Sequence, residues 1–204
     1  ELNENGSVKN YNIFEGIIKP DYELTYEDTN ELLDLEPLEE CELIILNKLL
    51  KSSLNFRKNR GAIIFNTEYS KIKYNNNKVS FEKIYITEAH NLVSEAMILM
   101  GYVISDFLIK NKIPSPFRTQ KINCDVNEIL TRNHNSPVKY IILKQFIGRS
   151  FLTINANKHE TLALDSYIQV TSPLRRYFDL LVQRQIYSFL NNNEIINEEG
   201  INNL

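Results

Sequence analysis

Ser172 and Pro173 stand immediately before a run of residues whose apolar side chains recur every three or four positions. Serine is a preferred N-cap and proline is tolerated at the first helical position, so this dipeptide predicts a helix start. The spacing places the apolar side chains on one face of that helix. The face consists of Leu174, Tyr177, Phe178, Leu181, Val182, Ile186, Phe189 and Leu190. A chain with such a helix must supply a core against which this face can pack.

The predicted first turn of this helix carries two adjacent arginines, Arg175 and Arg176. The amino-terminal end of a helix already has a partial positive charge and unpaired N–H groups, so two guanidinium groups there favour a bound anion. Arginine can hold a phosphate with two parallel hydrogen bonds. The alternative is that Arg175 pairs with Asp179 and Arg176 is solvated, a surface pair that contributes less than about 1 kcal/mol. The spacing alone leaves both interpretations open.

The composition is that of one globular unit. A chain of 204 residues with 43% hydrophobic content can bury one sizeable core. We find no signal peptide and no run of about 18 apolar residues that would span a membrane. Two cysteines without a C-x-x-C motif indicate a reducing compartment, so we expect a cytoplasmic protein. Because the chain begins at Glu1 without an initiator Met, we expect it to be a piece of a longer protein.

The net charge of −3 is unevenly distributed along the chain. Between Asp21 and Glu42 there are ten acidic residues and no basic one, which we interpret as a solvated helix surface. From Leu43 onward, 21 Lys and Arg residues stand against 13 Asp and Glu. This excess allows a basic face that could meet a polyanion.

Hydrophobic periodicity and turn residues predict an α+β fold, in which antiparallel strands pack with several long helices. Thr25 and Asp28 form an approximate capping box for a short helix. Helices should begin at Pro37, Thr87 and Ser136-Pro137. The buried face of the helix from Pro37 should consist of Leu38, Cys41, Ile45, Leu46, Leu49 and Leu50. That helix should end in a basic cluster with a structural role, formed by Lys51, Arg57, Lys58 and Arg60. Strands are predicted at 11–19, 62–65, 71–74, 79–86, 151–154 and 164–170.

Five short motifs, in this order, resemble those of the RNB family of exoribonucleases, the ribonuclease II and ribonuclease R type. They are LTYE at 24–27, GAIIF at 61–65, LVSEAM at 92–97, IPSPFR at 113–118 and TSPLRRYFDLLVQR at 171–184. The last is similar to the family signature T-S-P-I-R-R-Y followed by D-L. Gln169, Val170 and Gln183 depart from the usual residues in a way that resembles the cyanobacterial and plastid branch.

The resemblance implies the carboxy-terminal portion of an RNB catalytic domain over residues 1–190, followed by a polar tail or linker at 191–204. It implies Mg²⁺-dependent hydrolysis of single-stranded RNA from the 3′ end, which releases 5′ mononucleotides. Arg175 would act on the scissile phosphate and Arg176 would support it, while Phe65 would stack on a base near the 3′ end and Tyr26 would lie near the RNA. Glu95 would lie near the nucleotide channel; the acid that usually precedes it is replaced here by Ser94. The alternatives are a core strand position for Phe65 and a solvent-facing one for Glu95.

The family's metal-binding aspartates, of the D-x-D-D type, are absent from this sequence, and its three histidines lack metal-ligand spacing. We therefore expect the metal site, with Mg²⁺ as the cofactor of the intact enzyme, to lie outside the chain. Two other classes remain open: a non-catalytic protein that binds single-stranded RNA, and a protein-interaction scaffold. We expect a monomer that contacts no membrane, in the cytoplasm or, in a eukaryote, the plastid.

Overall fold

The computed structural model describes residues 1–21, 23–65, 69–75, 77–132 and 138–203, with only the backbone at Tyr69. In this part of the chain, helices and strands mix as predicted, and the strands form two short antiparallel sheets. The α-helices are α1 (Tyr26–Leu35), α2 (Cys41–Asn59), α3 (Glu88–Lys110), α4 (Val126–Arg132), α5 (Lys139–Phe146), α6 (Tyr177–Leu190) and α7 (Glu198–Asn202). The strands are β1 (Tyr69–Asn75), β2 (Lys78–Ile84), β3 (Phe117–Thr119) and β4 (Phe151–Thr153), and single 3₁₀ turns lie at Leu38–Glu40 and Glu160–Leu162.

Helix α3 is the central element of the fold. It begins after Thr87, as predicted, and Pro114 follows its end. One end packs on α1 and α2 through Leu92, while Ile104 and Leu108 join a second cluster that includes residues of α6. By length and composition α3 also meets the requirements of a membrane-spanning helix, contrary to the expectation from sequence. Its packing in both clusters is nevertheless typical of a core helix.

The amino-terminal helices follow the capping signals closely but not the predicted burial. The capping box of Thr25 and Asp28 is confirmed at the start of α1. Pro37 precedes the 3₁₀ turn that leads into α2. The buried face of α2 was predicted wrongly, because only Leu50 of the proposed set is buried and the rest of the face is Ile44, Asn47, Ser53 and Arg57. This face can bury polar groups because α3 presents partners for them.

Three of the six predicted strands are confirmed and three are wrong. Strands β1 and β2 form a hairpin, and β4 pairs with β3. The segment 11–19 is irregular and largely exposed, since no neighbouring strand pairs with it. Residues 62–65 are extended but not in a sheet; the Ile63 N–H donates to the Thr161 carbonyl at 2.9 Å.

Residues 164–170 do not form a strand: Leu164 makes an isolated antiparallel bridge with His159, residues 165 and 166 bend, and 167–170 are irregular. Alternate residues are buried, which produced the strand-like pattern. The backbone is instead held at separate points: the Tyr167 carbonyl accepts from the Arg118 N–H at 2.8 Å, and the Val170 carbonyl accepts from the Gln183 amide. The segment lies directly on α3 at Gly101, where an added Cβ would stand 2.4 Å from the Ile168 carbonyl oxygen. The absence of a side chain at Gly101 therefore permits this close approach.

The carboxy-terminal part differs from prediction at several element ends. Helix α6 begins at Tyr177, four residues after Pro173. The predicted start of α5 at Ser136-Pro137 lies outside the described residues, and α5 ends at Phe146. Beyond the predicted boundary at residue 190, α7 buries Ile201, and the Gln185 side chain hydrogen-bonds both backbone groups of Ile196. The boundary itself stays a prediction.

Candidate functional site

The segment before α6 forms a turn, and the predicted serine cap is wrong. The Ser172 carbonyl accepts from the N–H groups of Arg175 at 3.3 Å and Arg176 at 3.0 Å. Arg176 occupies the N-cap position with an extended backbone. Both arginines therefore lie just before the helix and not within its first turn.

Asp179 explains why the helix begins late. This residue lies in the first turn of α6 and is only 1% exposed. Its Oδ2 accepts from the Ser172 N–H at 2.9 Å and from the Arg176 guanidinium at 3.0 Å (Nε) and 2.6 Å (Nη2). Because these bonds fold the turn back over the amino-terminal end of α6, the turn replaces the first helical residues that Pro173 was expected to supply.

The same contacts correct the alternative pairing. Asp179 binds Arg176 and not Arg175. Arg175 is exposed, and its guanidinium makes one long hydrogen bond, 3.4 Å to the Ser172 hydroxyl. None of the described carboxylates lies within ion-pair distance of Arg175. The turn thus holds Arg176 in place and leaves most of the hydrogen-bond donors of Arg175 unused. This arrangement is suited to binding an anion.

A second cluster of functional side chains surrounds a pocket of about 330 Å³ between α2, α3 and the extended residues 62–65. Phe65, His90, Ser94 and Glu95 contribute to its wall, with Arg57 at its base. Phe65 is half-buried, with the edge of the Tyr140 ring near it and the Lys144 ammonium 5.4 Å from its ring centre. An aromatic ring at a pocket wall with a nearby cation can contact a nucleotide base and its phosphate.

Glu95 and Arg57 form a buried ion pair at this pocket, with 4% and 3% of each residue exposed. Arg57 binds the Glu95 carboxylate through both Nε and Nη2, and Ser53 donates to it at 3.0 Å. The third nitrogen of Arg57 donates to the Leu162 carbonyl at 3.1 Å. The solvent-facing alternative for Glu95 is therefore wrong. Its carboxylate fixes Arg57, which joins α2, α3 and the 3₁₀ turn at 160–162.

Tyr26 reaches the pocket through a neighbour. It is partly exposed at the start of α1, and its ring stacks on His90 with centroids 3.9 Å apart and planes 14° from parallel. His90 Nδ1 lies 2.7 Å from the Thr87 hydroxyl, which fixes the imidazole at the start of α3. One face of each ring is therefore covered by the other.

The rings of the buried His159 and the partly buried Tyr167 lie 5.4 Å apart. Burial raises the pKa of Tyr167, and the charges of Arg57 and Arg176 both act on its hydroxyl in the opposite direction. Burial also lowers the pKa of His159 to about 4; a backbone hydrogen bond opposes this shift, while the charges of Arg118 and Arg57 add to it. The charge of Arg57 therefore acts on both rings.

The structure brings Phe65 and Glu95 to one pocket and Tyr26 to its edge, and it holds Arg175 and Arg176 together on a separate turn. Sequence reasoning missed the roles of Arg57, His90 and Asp179 as partners of these residues. A signal for Arg57 was present, because its spacing from Ser53 and Leu50 continues one face of α2. The signal was missed because buried faces of helices are usually apolar, whereas this face of α2 carries Asn47, Ser53 and Arg57.

The acidic residues of the described chain do not fit a metal site. No three His, Cys, Asp or Glu side chains in the described ranges approach one another closely enough to ligate an ion. Asp179 is occupied by Ser172 and Arg176, and Asp106 by Tyr11 and Lys110. No chemical step can therefore be assigned to a metal held by these residues.

The arrangement of helices and short sheets is that of known exoribonucleases. An active-site mutant of the Dss1 exoribonuclease from Candida glabrata matches with a TM-score of 0.80 at 22% identity, over 89% of this chain and 26% of that one. Apo RNase R from Mycoplasma genitalium matches with a TM-score of 0.77 at 20% identity, over 93% and 36%. The same RNase R in complex with ribose methylated single-stranded RNA gives a TM-score of 0.70 at 19% identity, over 86% and 34%. These likenesses define the fold.

The RNB domain family matches residues 1–192, and the chain belongs to this family, as its motifs predicted. An uncharacterized ribonuclease of Synechocystis is 36% identical over 193 residues, which are 93% of this chain and 29% of the relative. The chloroplastic/mitochondrial ribonuclease II of Arabidopsis thaliana is 32% identical over 197 residues, 93% of this chain and 24% of the relative. The chain thus spans 29% and 24% of the length of these two relatives.

Proposed function

We propose that this chain holds the 3′ end of single-stranded RNA within an RNB exoribonuclease. The intact protein would hydrolyse RNA from its 3′ end and release 5′ mononucleotides. The observation that carries the proposal is the family match over residues 1–192, together with the ribonuclease names of the relatives. The fold shared with an RNase R crystallised with single-stranded RNA adds support for RNA as the partner.

The turn at Arg175 would stabilise the charge of the phosphate at the scissile bond. The exposed Arg175 guanidinium, which is not paired with any described carboxylate, can donate two hydrogen bonds to the phosphate. The hydrogen bond from Arg176 to Asp179 keeps the turn in place. Preorganised donors of this kind contribute most when negative charge develops on the transition state. Arg176, still partly exposed, would support a neighbouring phosphate.

The pocket would receive the terminal nucleotides. Phe65 would stack on a base without regard to sequence, which a non-specific exonuclease needs, and stacking is worth about 1–3 kcal/mol per base. Tyr26 and its partner His90 would contact the RNA at the edge of the pocket. Glu95 would act through Arg57, because its carboxylate is already satisfied.

Hydrolysis would require Mg²⁺ bound by residues other than those that the structure describes. Divalent ions in nucleases activate water and stabilise the leaving oxygen. Since the described acidic residues do not form such a site, we assign this chain to binding and charge stabilisation. A cytoplasmic or plastid location fits the bacterial and chloroplastic relatives.

The test is a titration of fluorescent single-stranded oligoadenylate with the 204-residue chain at two salt concentrations, followed by electrophoresis of the RNA. Binding that weakens with salt would support the proposal, since phosphate contacts release counterions. Phe65→Ala should weaken this binding about tenfold, whereas Phe14→Ala, at an exposed ring elsewhere, should not. Absence of binding at low salt would contradict the proposal and favour a scaffold role.

A further inference from the structure

The hairpin formed by β1 and β2 has one apolar face that no other described residue covers. Its register pairs Ile72 with Phe81 and Tyr74 with Val79. Side chains two positions apart share a face of a strand, so these four residues form a single surface. All four are at least 60% exposed, and Phe81 is 73% exposed. Tyr85, which follows β2, is also exposed and lies against the Lys83 ammonium.

The hairpin is basic although the chain as a whole is acidic. Residues 69–86 contain four lysines, Lys71, Lys73, Lys78 and Lys83, and one acid, Glu82. Glu82 pairs with Lys73 across the strands at 2.8 Å. The hairpin thus carries a net charge of about +3 beside its aromatic surface, in a chain whose net charge is −3. This positive charge beside exposed rings favours a polyanion that also offers faces for stacking, as single-stranded RNA does.

The chain that leaves β2 runs to the pocket of Phe65. Ile86, two residues beyond β2, lines that pocket together with Phe65 and Glu95. An RNA strand that left the pocket past Ile86 would have Tyr85 and then the exposed rings of Phe81 and Tyr74 along the hairpin. Exposed aromatic rings with neighbouring lysines are the common means by which sheets bind single strands without sequence preference.

We infer that the β1–β2 hairpin binds single-stranded RNA upstream of the terminal nucleotides, with bases stacked on Phe81 and Tyr74 and phosphates near the lysines. The inference rests on the proposed function and assigns it a second contact surface. It commits the exposed face to nucleic acid and not to a protein partner.

The chain contains no tryptophan, so a single introduced indole can report contact directly. We would titrate Phe81→Trp and the control Phe14→Trp with oligoadenylate in the full 204-residue chain. Phe14 is 80% exposed and lies in the irregular segment at 11–19. Quenching of F81W fluorescence with no change in F14W is the expected result. Equal behaviour of the two variants, with RNA bound in both, would overturn the inference.

A second set of variants separates stacking from apolar docking. Tyr74→Leu combined with Phe81→Leu keeps an apolar face but removes the rings, and we expect oligoadenylate affinity to fall about tenfold or more. Lys71→Gln with Lys78→Gln should reduce the slope of log affinity against log salt by about two. Unchanged affinity of the leucine variant would overturn the inference while the proposed function stands. A change of oligomeric mass on Phe81→Ser, with RNA affinity unaltered, would assign the face to a protein contact. If the unmodified chain binds no RNA at low salt, both proposals fail.

Discussion

The protein contains two arginine–carboxylate pairs of the same chemistry in different surroundings. In the pair of Arg57 and Glu95, 4% and 5% of the side chains are exposed, and in the pair of Arg176 and Asp179 the values are 27% and 1%. All three guanidinium nitrogens of Arg57 donate hydrogen bonds within the fold, to Glu95 and to the Leu162 carbonyl. Arg176 donates through Nε and Nη2 to Asp179, with a longer bond of 3.4 Å to the Thr171 hydroxyl, and lies beside the exposed Arg175.

This difference separates a structural pair from one that can serve a ligand. Burial of both partners removes water, so the first pair depends on complete mutual satisfaction. A buried carboxylate with a half-exposed arginine keeps the turn in one conformation and still leaves positive charge at the surface. The comparison predicts that the first pair governs stability and the second governs RNA handling.

The largest effect on stability should come from Arg57→Ala. It would leave the buried Glu95 carboxylate without its charged partner, which costs about 3–5 kcal/mol of the free energy of unfolding. Chemical denaturation followed by circular dichroism would measure the change. Arg57→Met combined with Glu95→Leu should recover most of the loss, because no buried charge remains. A loss below about 1 kcal/mol for Arg57→Ala would contradict the assignment of a closed structural pair.

Arg175→Ala should act on catalysis and leave the fold intact. In an intact enzyme that contains this chain we expect kcat to fall about a hundredfold or more, on the order of 3 kcal/mol, as for loss of an oxyanion donor. Its free energy of unfolding should change by less than about 0.5 kcal/mol, because Arg175 is exposed. Single-turnover hydrolysis of oligoadenylate is the measurement. A decrease in kcat of less than tenfold would contradict a catalytic role for Arg175.

Asp179→Asn should affect both properties moderately. Loss of charge weakens the hydrogen bonds from Arg176 and from the Ser172 N–H, and we expect the free energy of unfolding to fall by about 2 kcal/mol. The RNA affinity should fall as well, because the turn loses its fixed position. Asp165→Asn is the matched control, since its pair with Arg60 is exposed and is worth less than about 1 kcal/mol. Equal effects of the two substitutions would refute the distinction between the pairs.

The smallest effect concerns pH, through the buried His159. Its pKa is about 4 in the folded protein and about 6.5 when unfolded, so the unfolded chain binds the extra proton between these values. Stability should therefore rise with pH from about 4 to 6.5 and be complete above that range. The measurement is the difference in the free energy of unfolding between wild type and His159→Asn, which should increase as the pH rises across this window. Parallel curves for the two proteins would show that His159 does not contribute.

The sequence predicted the elements whose signals are local. The capping box of Thr25 and Asp28, the helix after Thr87 and the β1–β2 hairpin depend on neighbouring residues, and all three are confirmed. The segment at 164–170 has the alternation of a strand but no strand beside it, and pairing partners cannot be read from alternation. The five motifs were sufficient to identify the family.

The sequence predicted which residues belong to the candidate site, but it did not predict the hydrogen bonds and ion pairs that hold them. Ser172-Pro173 has the composition of a helix start. The hydrogen bonds to Asp179 outweigh this local preference, and α6 begins about one turn later, at Tyr177. The pairing of Glu95 with Arg57 joins residues 38 positions apart in the chain. Such contacts depend on how α2 and α3 pack, which periodicity does not reveal.

Helix α3 also acts as a spacer of fixed length. It carries Glu95 on one side of the pocket and, six residues later, Gly101, on which the segment leading to the arginine turn lies. A helix rises about 1.5 Å and turns about 100° per residue, so these two attachment points are about 9 Å apart along its axis. One residue inserted between them would rotate the second point by about 100° relative to the first. The separation between the pocket of Phe65 and the segment that leads to the arginine turn is thus set by the pitch of a single helix.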